Sequence, residues 1–422
     1  MPSLDLHLRS TLHDSFRVRQ VAGMFDLPIS DCVREHFRAQ LPELSENWRI
    51  GLITGPSGSG KTAVAKAEYR RHLHQPAAWP ADRAVIDCFG DDISIHRITR
   101  VLTSVGLSSP PTWMKPYAVL SNGEKFRCEL ARAVMERWEE NREFEISNRK
   151  LPNEGTNKGG ACDAPQFDFF SFQFSIFNSV PLVIDEYSST VDRTTAKTAS
   201  LALSNAIRTG KIPVRFVAVT CHDDIIPWLR PDWILRMPEG KLTRETIARP
   251  PIRLKVRRVS REMWPLFRRH HYLSGALHPA AQCFVAYMDG KPAAFCAALP
   301  FPHPRRPGWR EHRLVCLPDY QGIGIGNALS AFVAGMYVAT GKPYFSTTGH
   351  PATMRHRAKS PLWRMLRTPG MVSPVYQRDQ RRTGMDAACS IGRLTASFEY
   401  TGPPRMEEAR MLKVVKDITT VA

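Results

Sequence analysis

The chain has 422 residues, is 43% hydrophobic and 23% charged, and carries a formal net charge of +18. That length is comfortable for two cores, and no run approaches the ~18 consecutive apolar residues that span a bilayer. Nine widely spaced cysteines without a C-x-x-C pair exclude a disulfide frame or a zinc ribbon.

Asp5, Arg9 and Asp14 interrupt the N-terminus, which has no signal-peptide core, so the sequence predicts a soluble, cytoplasmic protein with no membrane partner. Residues 48–54 are a short apolar run leading into Gly55, which reads as a buried strand feeding a loop and a helix from Thr62 onward. The loop, Gly55-Pro56-Ser57-Gly58-Ser59-Gly60-Lys61-Thr62, matches G-x-x-x-x-G-K-[ST]. In that motif successive backbone N–H groups cradle phosphates, the lysine reaches the outer ones and the threonine offers a hydroxyl to Mg²⁺. Further strands are predicted at 83–87, 180–184 and 214–219, alternating with helices at 127–139 and 194–207, the signature of an α/β domain with a largely parallel sheet. Between them, residues 145–167 turn polar and glycine-containing and read as a surface insertion. The run Pro181-Leu182-Val183-Ile184 ends in Asp185 and Glu186, suited to hold Mg²⁺ and to polarise an attacking water respectively.

Three more elements accompany these. Leu120-Ser121-Asn122-Gly123-Glu124 opens the helix carrying Arg127, Ser189-Thr190-Val191-Asp192 follows the carboxylates, and His222 follows the strand ending at Thr220. Ser121 followed by Glu124 is also a capping box, and a capped helix start can itself face a phosphate. In order and position the five elements resemble an ABC-type ATPase over about residues 1–248. The resemblance implies ATP and Mg²⁺ held by Gly55, Ser57, Gly58, Gly60, Lys61 and Thr62, with Asp185 a second metal ligand and Glu186 and His222 catalytic. It also implies a homodimer in which Ser121 and Gly123 of one chain close over ATP on the other. The sequence departs from the family at the Q-loop: the only glutamine between Thr62 and Ser121 is Gln75, ahead of the predicted strand at 83–87, where the family's residue follows one.

Arg249-Pro250-Pro251 breaks the pattern, so the domain boundary is placed there, with a second domain at 252–422. A basic strand at 252–256 leads it. Runs at 283–287 and 292–298 flank Asp289-Gly290, a hairpin turn signal. A strand at 312–316, a glycine loop, a helix at 327–337 and a strand at 343–345 follow. The loop, Gln321-Gly322-Ile323-Gly324-Ile325-Gly326-Asn327, resembles motif A of the GNAT N-acetyltransferases, whose glycines let the backbone approach the coenzyme A pyrophosphate. The resemblance implies acetyl-CoA bound at Gln321, Gly322, Gly324, Gly326 and Asn327. It also implies a carboxylate base on the preceding strand, where Glu311 stands; a solvated strand end is the other reading of that residue. The usual thiolate-protonating tyrosine is missing from 347–363, leaving Tyr344, Ser346 or His356 as substitutes.

Residues 252–422 hold 26 Lys+Arg against 10 Asp+Glu, whereas residues 1–251 hold 32 against 30. So one-sided an excess points to a polyanionic partner, nucleic acid being the commonest. Two clusters, 268–275 and 350–357, mix Arg and His in ways that suit phosphates or a solvated basic face. His271-Tyr272-Leu273, with the glycine loop behind it, also resembles the Mom-type phage DNA-modification enzymes. The expected fold class is therefore an α/β P-loop ABC-type ATPase domain followed by an α+β GNAT acyltransferase domain. The expected function is ATP-coupled acyl transfer from acetyl-CoA to an amine, on DNA or RNA. Two alternatives stand beside it: a nucleic-acid-binding ATPase with a non-catalytic GNAT-like domain, and a protein or small-molecule N-acetyltransferase regulated by ATP.

Overall fold

A computed structural model describes residues 3–11, 14–26, 32–149, 180–271, 276–371 and 394–415. Most of the predicted insertion at 145–167 and the second half of the 268–275 cluster lie outside the described residues. The chain packs into two compact units, one of residues 1–77, 132–191 and 204–249, the other of residues 78–131, 192–203 and 250–422. This division is not the single cut at 248–252 drawn from the sequence, since residues 78–131 and 192–203 group with the C-terminal unit.

The first unit begins with an antiparallel ribbon of β1 (Ser3–Thr11) and β2 (Cys32–Gln40). Its main sheet comprises β3 (Ile50–Thr54), β4 (Leu182–Ile184), β5 (Phe216–Thr220), β6 (Trp233–Arg236) and β7 (Lys241–Thr243), in the order β4-β5-β3-β6-β7. The first four are mutually parallel and only β7 runs antiparallel. Every residue of β3 and β5 is buried, as expected of central strands covered on both faces. Ile53, Val183, Val217, Val219 and Leu235 form the core with Val64, Ala65 and Tyr69 of the helix Lys61–Tyr69. The predicted strand at 83–87 is absent: Val85–Cys88 is a 3₁₀ turn, flanked by a bridge from Ala84 to Pro116 and a hydrogen bond from Val85 N–H to Lys115 O at 3.0 Å. Three apolar residues cannot distinguish a strand from a buried turn by period, and Val85 is buried here without a ladder.

The second unit holds a sheet of β8 (Lys255–Val259), β9 (Gln282–Met288), β10 (Lys291–Phe301), β11 (Gly308–Cys316), β12 (Tyr344–Thr348), β13 (Trp363–Met371) and β14 (Leu394–Tyr400), in the order β13-β14-β12-β11-β10-β9-β8. Asp289 and Gly290 both adopt left-handed backbone (φ 50° and 79°), closing the β9–β10 hairpin in the predicted way. Trp264, Phe267, Val285, Phe295, Leu299 and Val315 pack one face. Two features shape the site. The β10–β11 register slips at Ala297/Ala298, which face Arg313 and Glu311 and leave His312 as the extra residue of a bulge. The parallel pair β11–β12 is in register only at Trp309 with Tyr344 and Arg310 with Phe345, so the strands part beyond that point.

Candidate functional site

In the first unit β3 delivers the chain into the 55–62 loop, and the helix Lys61–Tyr69 starts from Gly60 in the left-handed region (φ 86°) with no side-chain cap. A helix's first N–H groups have no partner inside the helix, and a glycine cap supplies none, so the start is a ready anion cradle. The glycines divide the labour. A Cβ on Gly60 would lie 2.5 Å from the Phe37 ring and one on Gly55 would lie 2.2 Å from Met237 O, whereas Gly58 has nothing within 4 Å. Ser57 and Gly58 are exposed, and Lys61 Nζ donates to Pro56 O. The Thr62 hydroxyl donates to Asp185 Oδ1 at 3.2 Å, so the two predicted metal ligands meet although far apart in sequence. Glu186, next along, holds a left-handed backbone (φ 51°) that a non-glycine residue adopts at a cost of about 1–3 kcal/mol, a form of strain that clusters at functional positions. His222 is half-buried, and its N–H donates to Thr220 Oγ1 at 3.2 Å.

In the second unit Ser121 caps the helix Asn122–Arg149 reciprocally with Glu124: Ser121 N–H and hydroxyl donate to Glu124 Oε2 at 3.0 and 2.9 Å, and Glu124 N–H returns to Ser121 Oγ at 3.4 Å. Burial alone would raise the Glu124 carboxyl, but these bonds and one from Thr112 outweigh it and hold the group below its ordinary pKa. Asp192 accepts from Thr194 N–H, Thr195 N–H and the Thr195 hydroxyl, opening the helix Arg193–Arg208.

The second glycine loop repeats the design of the first. β11 leads through a 3₁₀ turn (Pro318–Tyr320) into residues 321–324, and the helix Ile325–Val338 starts from left-handed Gly324 (φ 94°), again without a side-chain cap. Gly324 has nothing within 4 Å of a built Cβ. Gly322 does not face open space, because a Cβ there would lie 2.8 Å from both Ala202 Cβ and Gly106 Cα. Gln321 is buried, donating from Nε2 to Cys316 O (2.9 Å) and accepting Ser108 N–H at Oε1 (2.6 Å), so its side chain fixes the loop from behind. A Cβ on Gly326 would find only Cys316, at 3.8 Å, and Asn327 lies in the helix's first turn.

Glu311 is not a solvated strand end. Both carboxylate oxygens accept from Arg357 Nη2 at 3.0 Å, Ser346 Oγ donates to Oε1 at 2.9 Å and Ser330 Oγ donates to Oε2, with side-chain exposure of 7% for the glutamate and 1% for the arginine. Arg357 of the 350–357 cluster is thus an internal counter-ion, stacked over Trp363 at 4.4 Å, and not part of a basic face. His350 is half-buried and donates from Nε2 to Ser108 O at 2.9 Å, whereas Arg355 and His356 are exposed. Of the substitutes named for the missing tyrosine, Tyr344 is fully buried, which pushes its hydroxyl far up, and Ser346 is bound into the Glu311 network. The bulge displays His312, missed in the sequence. Burial and then Arg313 and Arg310 lower it to about 3, so it is a neutral acceptor, taking His278 N–H at 3.2 Å. In the 268–275 cluster Arg268 and Arg269 are exposed, but His271 is buried edge-on to Trp264. Among the described residues, Asp5, His7 and His36 on the exposed β1–β2 ribbon have potential ligand atoms within 4.8 Å of one another. Arg38 already pairs with that carboxylate, Nε to Oδ2 at 3.4 Å.

A bulged strand, a parallel neighbour that parts from it and a glycine loop opening the intervening helix define an α+β acyltransferase type of domain. The description "Acetyltransferase (GNAT) family" matches residues 247–346, β8 to β12, and the chain carries a C-terminal GNAT acetyltransferase domain. No curated protein matches the sequence. Among solved structures the chain is similar to a bacterial Atm1-family ABC exporter with ATP bound, at 14% identity and a TM-score of 0.28, over 50% of this chain and 34% of that one. It therefore spans about a third of the exporter's length. It is also similar to a protein described as a GNAT-family acetyltransferase from Desulfovibrio desulfuricans, at 17% identity and a TM-score of 0.26, over 35% of this chain and 98% of that one. Among the described residues no helix is long and apolar enough to cross a membrane.

Proposed function

We propose that the protein is an ATP-hydrolysing, ABC-type ATPase coupled to acyl transfer from acetyl-CoA to an amine carried by a nucleic acid. The observation that carries this reading is the duplication of one device. Two strands, the buried β3 and the half-buried β11, each run into a loop whose helix starts from an uncapped left-handed glycine, and each loop has one glycine, Gly58 or Gly324, facing open space. Triphosphate would lie on the first, with Lys61 on the outer phosphates and Mg²⁺ held between Thr62 and Asp185. Glu186 would polarise water, and a second chain would close the site with Ser121 and Gly123. Acyl-CoA would lie on the second, its pyrophosphate at Gly324 to Asn327 and its thioester where β11 and β12 part. Attack of the amine nitrogen on the thioester carbon forms the amide and releases the coenzyme as thiol, which takes up one proton of the amine. With its oxygens engaged by Arg357 and two hydroxyls, Glu311 holds the wall of that opening in place.

The charge of residues 252–422 favours a phosphate-rich acceptor. Affinity for DNA or RNA should then fall with salt at about 0.7–0.9 log units per log unit of salt for each phosphate neutralised. The engagement of Glu311 favours a second reading, a GNAT-like domain that binds nucleic acid without transferring an acyl group. Nucleoside mass spectrometry after incubation of DNA and RNA with protein, MgATP and acetyl-CoA tests both. An acyl mass on one nucleoside supports transfer; binding without any added mass supports the reader.

A further inference from the structure

The acyl-CoA loop is braced by residues from far outside its own strand and helix, all within the second unit. Asp319, two residues ahead of Gln321, faces the fully buried Arg127 (Nη1 to Oδ1, 3.5 Å) and the Thr195 hydroxyl (3.5 Å). Arg127 also donates from Nη2 to Thr198 Oγ1 at 3.2 Å, and Thr195 Oγ1 donates to Asp192 at 2.7 Å. These are the residues that follow the two ABC-like elements, the Ser121 helix start and the 189–192 turn. Gly123 lies in the same space, since a Cβ on it would lie 3.0 Å from Thr195 Oγ1 and 3.4 Å from Asp319 Oδ1. Behind them, Gly322 rests on Gly106 and Ala202, and Ser108 holds Gln321.

Resting on the reading above, we propose that nucleotide phosphate engaged at Ser121–Gly123 weakens acyl-CoA binding at 321–327 through Asp319. Of the three carboxylates around this helix start, Glu124 is bonded to Ser121 and Asp192 to Thr195, whereas Asp319, with 53% of its side chain exposed, is held only by long contacts. A phosphate arriving there competes with it for the positive end of a 28-residue helix and repels it at short range. Its contacts to Arg127 and Thr195 are long, so little opposes its displacement. Arg127 has no water to fall back on, and the lowering of its pKa by burial is only partly offset by Asp319. The short link from Asp319 to Gln321 carries the movement into the loop, whose other side is pinned to Ser108 and Gly106. Arg127, Thr195 and Asp319 are thus positioning residues. ATP capture by the dimer would release coenzyme, and hydrolysis would restore its site.

The test is calorimetric titration of acetyl-CoA into the full-length Glu186→Gln protein, with and without MgATP. The expected result is an affinity weaker by about fivefold or more with ATP, and ATP affinity weakened by the same factor with acetyl-CoA, as linkage requires. In Asp319→Asn, and in Thr195→Val as the more conservative change, that factor should shrink toward one. Equal acetyl-CoA affinity with and without ATP, in a protein that binds both, overturns the coupling and leaves the two sites standing. A factor that survives Asp319→Asn and Thr195→Val overturns the route through Asp319. A chain that fails to bind either ligand overturns the proposed function itself, and the coupling falls with it.

Discussion

The two glycine loops are built alike and supported differently. The 55–62 loop is held by the ends of its own sheet and by the β1–β2 ribbon: Gly55 against Met237 just beyond β6, Thr62 against Asp185 at the end of β4, and Gly60 against Phe37 of β2. The 321–327 loop is held by Ser108, Arg127, Thr195 and Ala202, from segments that precede it by more than a hundred residues. A loop braced by strands that carry no other motif can work as a self-contained binding element. A loop braced by segments that also carry other motifs is exposed to whatever those segments bind.

The largest effect expected is on the self-contained loop. Lys61→Ala removes charge-assisted contacts at ~1.5–3 kcal/mol each, so losing two of them should weaken ATP binding more than about a hundredfold and leave acetyl-CoA binding unchanged. Titration with each ligand checks it, and loss of both would break the distinction between the loops. Next comes the wall beside the second loop. Glu311→Gln strands Arg357 in a buried site, which should cost about 3–5 kcal/mol of stability, read as a fall in the urea midpoint. The paired change Glu311→Leu with Arg357→Met should recover much of it. A stable Glu311→Gln protein that binds coenzyme but does not transfer would instead make Glu311 a base.

Smaller is the contrast between two glycines of one loop. Gly322→Ala should cost about 1–3 kcal/mol for overpacking against Gly106 and Ala202, in addition to about 1–2 kcal/mol for its left-handed backbone. Gly324→Ala has open space and incurs only the second cost, so its denaturation midpoint should be the higher. Equal midpoints would mean that the brace behind Gly322 is not tight.

The last effect, comparable in size to the glycine contrast, is on pH dependence. His312 titrates near 3 when folded, with burial the main cause, against an ordinary value of 6.5. Between those values the unfolded chain binds more protons, so stability falls as pH drops through that window. His312→Asn should lose less stability between pH 6.5 and 4 than the parent, as followed by denaturant midpoints; an unchanged slope would show that His312 is not buried neutral.

How legible each region was in the sequence follows from the same difference. The strand, loop and helix at 48–69 and the hairpin at Asp289-Gly290 depend on neighbours in sequence, and they formed as expected. The 83–87 strand failed because three apolar residues can be buried by a turn as readily as by a ladder. Motif A points Gln321 and Gly322 toward the coenzyme, and the structure sets the Gln321 side chain against Ser108 and the Gly322 Cα against Gly106 and Ala202. Glu311 reads in the sequence as a base or a solvated strand end because its counter-ion, Arg357, lies 46 positions on, inside a run that suits phosphates or a solvated basic face. No local pattern encodes such pairings.

The central claim, a working acyl-CoA site at the second loop, is tested most directly by titrating acetyl-CoA into the parent and into Gly324→Asp. The variant has room for its side chain but adds a negative charge where the pyrophosphate would approach. Saturable binding by the parent and none by the variant, with ATP hydrolysis retained in both, is the predicted result. No binding by the parent, or equal affinity in the two proteins, would contradict it.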